Sequence, residues 1–129
     1  MKEKILIVDD TLLNRELARD LLELEGYCVI EAEKAEEAIC EALVQKPDLI
    51  LMDMVLPDMD GLTATKLLKN NPNTKNIIIV ALTAQAEECD QERTMEVGFS
   101  GYIAKPIDTQ KFPHIIKEIL KAGKKIGEL

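Results

Sequence analysis

Residues 49–61 read LILMDMVLPDMDG and carry the clearest pattern of strand, turn and helix in the chain. The first four of these residues are all large and apolar, as expected of a strand buried on both faces of a sheet, and the apolar run stops at Asp53. Pro57 opens a turn in which Asp58 is expected to face solvent as a bystander, that is, without a role in the site or the fold. Asp60 has the position of a helix N-cap. The stretch therefore predicts a buried strand that ends in one carboxylate, followed by a turn and a helix.

Five apolar runs predict five strands, at residues 4–8, 27–32, 48–53, 77–83 and 101–105. Between these runs, apolar residues recur three and four positions apart, as they do on one face of a helix. The alternation predicts a doubly wound α/β sandwich around a parallel sheet. The helix predicted over 86–97 has a thin apolar stripe, which indicates weak burial. Pro113 removes a backbone donor near the start of the last helix, so we expect that helix to begin late or distorted.

The composition indicates one globular domain over residues 1–129, with 47% hydrophobic and 31% charged residues. The net charge of -8 argues against a nucleic-acid partner, because phosphate binding needs clustered Lys and Arg. The three cysteines form no CxxC pair, and we expect them to be small apolar side chains in a reducing compartment and not metal ligands. The first apolar run is too short for a signal peptide or a membrane span, so we expect a cytoplasmic protein without a membrane partner.

Polar residues stand where four of the predicted strands end, and they are Asp9 and Asp10, Asp53, Thr83 and Lys105. The carboxyl ends of parallel strands meet at one edge of the sheet, where open α/β sheets bind their ligands. If the first and third strands are neighbours, about 4.8 Å apart, their carboxylates share one site. Ligands that are all oxygen favour Mg²⁺ over Zn²⁺. Such an edge would combine carboxylates, a metal ion, an ammonium and a hydroxyl, and this combination suits the binding of a phosphoryl group. A central carboxylate can attack the phosphoryl group to form an acyl phosphate.

Four motifs follow one another along this edge: VDD at 8–10, DMVLPDMDG at 53–61, ALTA at 81–84 and YIAKP at 102–106. In this order and spacing they resemble the receiver domain of a two-component response regulator, in the single-domain form of the chemotaxis regulators, over essentially the whole chain. The resemblance implies a flavodoxin-like (βα)5 fold with strand order 2-1-3-4-5. It also implies a signalling switch that catalyses only its own phosphorylation and slow dephosphorylation, and not an enzyme with other substrates.

The resemblance assigns roles to the acidic residues. It implies that Asp53 takes a phosphoryl group from the phosphohistidine of a histidine kinase or a histidine phosphotransfer protein. Asp10, Asp53 and the backbone carbonyl of Val55 are expected to bind Mg²⁺ directly, and Asp9 is expected to act through water. Lys105 is expected to pair with the phosphoryl oxygens.

The resemblance also supplies the switch and loop residues. Thr83, which belongs to the same catalytic set, is expected to move toward the phosphoryl group, and Tyr102 is expected to follow it inward. Ala84 would leave room for the phosphoryl group, and Pro106 would aim the lysine before it into the site. Phosphorylation adds about -1.5 to -2 of charge. It is expected to shift the surface of the helix over 86–97, the fifth strand and the last helix, and thereby the binding of an unidentified output protein.

Two other functions use related chemistry. A metal-dependent phosphatase of the haloacid-dehalogenase class also forms an aspartyl phosphate, but its nucleophile belongs to a D-x-D pair, whereas Asp9 and Asp10 are adjacent and no cap insertion follows. A flavin or nucleotide binder would need a glycine-rich phosphate loop, and the six glycines form neither GxGxxG nor GxxxxGK. His114, beside a proline on the last predicted helix, is expected to be structural or solvated and not a phosphotransfer histidine.

Overall fold

Five parallel strands form one sheet. The computed structural model describes residues 3–83, 98–105 and 107–128, with side chains as far as residue 122. The strands are β1 (Lys4–Val8), β2 (Cys28–Ala32), β3 (Leu49–Asp53), β4 (Ile78–Thr83) and β5 (Gly101–Ala104). They lie in the order β2-β1-β3-β4-β5, and each neighbouring pair is parallel. The predicted sheet class and strand order are both confirmed.

Four helices are described, and they cover both faces of the sheet. They are α1 (Leu12–Leu24), α2 (Ala35–Gln45), α3 (Gly61–Asn70) and α4 (Phe112–Glu128). Buried residues of α2 and α3 belong to one core cluster, and buried residues of α1 and α4 belong to the other. The helix predicted over 86–97 lies outside the described residues. None of the described helices has the length and apolar character needed to cross a membrane.

The continuous apolar run at residues 49–52 is explained by burial of the central strands on both faces. Every residue of β3 is buried, and so are the last four residues of β1. Along β3, Ile50 and Met52 face one core cluster while Leu49 and Leu51 face the other. Each such side chain contributes roughly 1.5–3 kcal/mol when it leaves water. Because both faces of the strand are covered, a carboxylate can approach solvent only at its ends, and Asp53 stands at the carboxyl end.

The start of α4 differs from the prediction. The helix begins at Phe112, so Pro113 lies in its first turn, where a backbone N–H would have no partner within the helix. Asp108 supports the approach to the helix, because its Oδ1 accepts hydrogen bonds from the backbone amides of Gln110 at 2.9 Å and Lys111 at 3.1 Å. The prediction of a late start is therefore wrong, and the alternative of a distorted start stays a prediction.

The described cysteines are surface residues. Cys28 begins the edge strand β2 and Cys40 lies on α2, and both are exposed free thiols. Both were predicted to be small apolar side chains, and the structure places them at the surface and not in the core. Cys89 lies outside the described residues.

Candidate functional site

The polar residues at the strand ends meet at one edge of the sheet. β1 and β3 pair directly, so Asp9, just after β1, comes beside Asp53, the last residue of β3. On the other side of β3 lie β4 and then β5, both parallel to it. Lys105 follows β5, and its backbone amide donates to the carbonyl oxygen of Thr83 at the end of β4 at 2.8 Å. Sheet order alone therefore brings residues that are far apart in the chain to one place.

Three carboxylates form an acidic cluster at this edge. One oxygen of each of Asp9, Asp10 and Asp53 lies within 4.8 Å of the others. Asp9 is completely buried and Asp53 is 5% exposed, whereas Asp10 faces solvent. Carboxylates this close repel one another, and a set of oxygen ligands suits a hard divalent cation. The cluster has the chemistry of a metal site that opens to solvent on the side of Asp10.

Lys105 places a positive charge between the two buried acids. Its Nζ donates a hydrogen bond to Asp53 Oδ2 at 2.9 Å and lies 3.0 Å from Asp9 Oδ2. The second contact is an ion pair, and Asp9 Oδ2 has no other polar partner among the described residues. Burial lowers the pKa of Lys105, but the two carboxylates together raise it by more, so its pKa is raised overall. The side chain is a fixed cation within the site.

Asp53 is held in an environment that disfavours its own charge. Burial raises the pKa of its carboxyl, and this outweighs the lowering by the Val55 amide and by the Lys105 ammonium. The negative charge of Asp9 raises the pKa of Asp53 further. A divalent cation bound beside Asp53 would favour the ionised form of its carboxyl.

The backbone fixes one oxygen of each buried acid. Thr11 donates its amide hydrogen to Asp9 Oδ1 at 2.9 Å, and Val55 donates its amide hydrogen to Asp53 Oδ1 at 3.0 Å. In both cases the donor is two residues further along the chain, and the other oxygen is turned toward Lys105. The two carboxylates are therefore oriented by the turns that follow their strands.

Asp58 has a structural role that the sequence analysis missed. It is exposed, as predicted, but its Oδ1 accepts from the backbone amide of Ala35 and its Oδ2 from that of Glu36, both at 2.9 Å. The N-cap residue of α2, Lys34, makes no side-chain cap of its own. These hydrogen bonds, with that from Glu36 the stronger influence, hold the pKa of Asp58 below its usual value. The bystander prediction is wrong, because Asp58 caps α2 and ties the loop after β3 to it.

The start of α3 lies directly against the end of β3. Asp60 caps the helix as predicted, with its Oδ1 accepting from the Thr63 amide at 2.7 Å. A Cβ at Gly61 would lie 2.6 Å from the carbonyl oxygen of Asp53 and 2.9 Å from the Cα of Met54. Only glycine permits this approach, so Gly61 helps to set the backbone that carries Asp53.

We expect Gly61→Ala to lower the free energy of unfolding by about 1–3 kcal/mol, because the added methyl group must push α3 away from the end of β3. Urea unfolding followed by circular dichroism measures this change. Gly101→Ala is a matched control, since a Cβ there would lie 3.4 Å from Ile119 Cδ1, an ordinary contact. A Gly61→Ala protein as stable as the Gly101→Ala protein would show that the close approach is not required.

The remaining predicted site residues lie around the cluster. Thr83 is the last residue of β4 and is half-buried. Tyr102, on the neighbouring strand β5, is half-buried and packs against the core cluster that includes α2 and α3. Val55 is 77% exposed at the mouth of the site. Ala84 and Pro106 lie outside the described residues, so their predicted roles stay predictions.

The fold and this edge define a class of protein, namely doubly wound α/β domains with an acidic cluster and a lysine at the carboxyl ends of their parallel strands. Residues 5–117 match the family described as the response regulator receiver domain, and the chain belongs to that family. The resemblance stated from the four motifs is thereby confirmed.

Relatives and solved structures agree with this assignment. The chain is 42% identical over 120 residues to the polar-differentiation response regulator DivK of Brucella anthropi, which covers 93% of this chain and 98% of DivK. A crystal structure of a putative response regulator from Chloroflexus aurantiacus matches with 34% identity and a TM-score of 0.88, over 94% of this chain and 99% of that one. The chemotaxis response regulator CheY4 of Vibrio cholerae matches with 25% identity and a TM-score of 0.88, over 92% and 99%.

Proposed function

We propose that this protein is a phosphoacceptor switch of a two-component phosphorelay, in which Asp53 takes a phosphoryl group from the phosphohistidine of a histidine kinase or histidine phosphotransfer protein. Response regulators as a family are signalling switches that act with histidine kinases and downstream targets. The observation that carries the proposal is the position of Asp53. It ends the central strand β3, between the strand end that carries Asp9 and the side of the sheet that carries Lys105, and its Oδ2 accepts a hydrogen bond from Lys105 Nζ at 2.9 Å.

The chemistry of the transfer follows from these contacts. A carboxylate oxygen of Asp53 attacks phosphorus, the bond from phosphorus to the histidine nitrogen breaks, and the imidazole leaves with the bonding electron pair. Negative charge on the equatorial oxygens of the phosphoryl group needs a nearby cation, and Lys105 Nζ is fixed at this place. The amide of Val55 keeps the other carboxylate oxygen of Asp53 in position.

Mg²⁺ fits the residues present. The ligands are all oxygens, the Asp10 carboxylate is exposed to solvent, and Asp9 Oδ2 has Lys105 as its only polar partner within the described part of the chain. We propose that Asp10, Asp53 and the carbonyl of Val55 hold the ion, with Asp9 acting through water. When bound, the ion would neutralise charge on the transferring phosphoryl group.

The output step is proposed from the positions of Thr83 and Tyr102. Both are half-buried on adjacent strands, β4 and β5, next to the acidic edge. Phosphorylation of Asp53 would draw Thr83 toward the new charge and shift the packing of Tyr102, which biases a surface that an output protein binds. The cytoplasmic location and the extent of the domain over residues 1–129 stay predictions.

Phosphorylation by a small-molecule phosphodonor tests the proposal. We expect intact-mass spectrometry to show at most one phosphoryl group on each chain in the presence of Mg²⁺, and none when a chelator removes the metal. The same protein should not hydrolyse a phosphate monoester through repeated cycles. Many turnovers on such a substrate would favour the phosphatase alternative, and a chain that takes up no phosphoryl group would contradict the switch.

A further inference from the structure

We propose that Arg15, a residue of α1, is a positioning residue for the acidic cluster, acting through the peptide that joins Asp9 to Asp10. The inference rests on the proposed function, in which these acids hold Mg²⁺. Arg15 is only 6% exposed, which is rare for an arginine unless its guanidinium is paired. Its Nη1 donates to the backbone carbonyl oxygen of Asp9 at 2.7 Å, the shortest of its hydrogen bonds to described residues.

This hydrogen bond completes the fixation of Asp9. The amide of Asp9 donates to the carbonyl oxygen of Ala32 at 3.1 Å, and Asp9 Oδ1 accepts from the amide of Thr11. The carbonyl is the remaining polar group of the Asp9 backbone, and Arg15 binds it. The peptide before Asp9 is therefore held by β2, and the peptide after it is held by Arg15 of α1.

Two glutamates orient the guanidinium. Arg15 Nε lies 3.3 Å from Glu31 Oε1, and Nη2 lies 3.2 Å from Glu33 Oε1, at the carboxyl end of β2. Glu31 is itself held through its other oxygen, which accepts from Arg19 Nη1 at 3.0 Å. The planar guanidinium presents its donors in a fixed fork, so binding both glutamates aims the third donor at the carbonyl of Asp9.

The arrangement suits positioning better than simple charge balance. Arg15 forms ion pairs with two glutamates, which together carry more negative charge than its one positive charge. The group as a whole therefore does little to neutralise the negative charge of the acidic cluster. Asp10, by contrast, is exposed, and no hydrogen bond or ion pair with a described residue holds its carboxylate. The direction in which the Asp10 side chain leaves the backbone is set by the peptide that Arg15 binds. Loss of Arg15 would therefore let Asp10 move away from the other two acids.

A titration with Mg²⁺ alone, followed by the amide NMR shifts of the protein, tests this inference without any phosphoryl transfer. We expect Arg15→Met to raise the Kd for Mg²⁺ by about 10- to 100-fold, the usual range when a residue that orients metal ligands is lost. Arg15→Lys should give a smaller increase, because one ammonium can reach the Asp9 carbonyl but cannot also be oriented by both glutamates. Arg19→Met is the matched control. It loosens Glu31, one of the two glutamates that orient Arg15, but leaves the hydrogen bond from Arg15 to the Asp9 carbonyl, so it should raise the Kd by clearly less than Arg15→Met does.

The outcomes separate the inference from the proposed function. If the wild-type protein does not bind Mg²⁺, the proposed function fails first. If it does, a folded Arg15→Met protein with the wild-type Kd overturns the positioning role, and so does an equal loss of affinity in Arg19→Met, which would indicate a general electrostatic effect. Urea unfolding shows whether each variant is folded. If Arg15→Met does not fold, Arg15→Lys becomes the test, and a wild-type Kd for Mg²⁺ in that variant would overturn the inference.

Discussion

Asp53→Asn is expected to take up no phosphoryl group, while the rest of the site keeps its structure. The carboxylate accepts from the Val55 amide at Oδ1 and from Lys105 at Oδ2, and the single amide oxygen of an asparagine can replace only one of these two oxygens. It carries no negative charge and is not a nucleophile toward phosphorus. Incubation with a small-molecule phosphodonor and Mg²⁺, followed by intact-mass spectrometry, measures the uptake. We expect the wild-type protein to be labelled and the variant to remain at its starting mass.

Asp58→Asn is the matched control for this substitution. It makes the same chemical change five residues further along the same loop, at an acid whose carboxylate caps α2 and does not belong to the acidic cluster. We expect it to be labelled like the wild-type protein, with at most a small loss of stability. Stoichiometric labelling of Asp53→Asn would remove Asp53 from its proposed role, whichever result the control gives.

Asp53→Asn is also expected to change the stability of the protein in a way that depends on pH. Burial raises the pKa of Asp53 above its value in the unfolded chain, so the folded protein binds the proton more tightly. Its contribution to stability is therefore present below the unfolded pKa and is lost as pH rises through the folded pKa. At neutral pH the ionised carboxylate is a cost that Asp53→Asn removes. We expect a higher urea midpoint for the variant at pH 7 and a difference that shrinks at pH below about 4. A lower midpoint at pH 7 would contradict this account.

The parts of the structure that the sequence predicts are those determined by short-range patterns. A strand covered on both faces must be continuously apolar, so Leu49 to Met52 predict a central strand without reference to any partner. Asp60 is likewise predicted by its place just before a helix, and its bond to the Thr63 amide spans only three residues. The acidic edge is predictable for a related reason. Once the strands are parallel, their carboxyl ends must lie together.

Contacts between residues distant in sequence were missed. Asp58 caps a helix that begins 23 residues earlier in the chain, and no local spacing indicates such a contact. Arg15 left a signal, because it shares the buried stripe of α1 with Ala18 and Leu22 at helical spacing. A charged residue at a core-facing position indicates a buried polar partner. Its identity, the carbonyl of Asp9, depends on how α1 packs on the sheet and is visible only in the structure.

Helix α1 also shows why periodicity alone can assign the wrong face to the core. Leu13, Leu17 and Leu24 form an apolar stripe that looks like a core face, yet they are 75%, 37% and 84% exposed. The face that packs on the sheet carries Arg15 in its place. Each stripe satisfies the helical period, and the structure buries the one with Arg15, Ala18 and Leu22.

Lys105→Met is expected to change two properties of the site in opposite directions. The ammonium lies 2.9 Å from Asp53 Oδ2 and 3.0 Å from Asp9 Oδ2, so in the absence of a metal ion it is the cation that the two buried acids share. Removing it leaves the acidic cluster more negative, and the affinity for Mg²⁺ should rise. The transferring phosphoryl group loses a fixed positive charge, and the rate of phosphorylation at saturating Mg²⁺ should fall by about a hundredfold or more.

Lys69→Met is the control for the loss of a half-buried ammonium elsewhere. Lys69 Nζ donates to the carbonyl oxygens of Ile77 at 2.7 Å and Lys75 at 3.1 Å, and burial lowers its pKa. Its loss should reduce stability and leave both the Mg²⁺ affinity and the rate of phosphorylation close to those of the wild-type protein. The Mg²⁺ titration by amide NMR and the time course of labelling measure the two properties separately. A Lys105→Met protein that loses Mg²⁺ affinity along with its rate would mean that the lysine maintains the shape of the cluster. A protein that keeps its rate would mean that the charge of Lys105 is not needed for phosphoryl transfer.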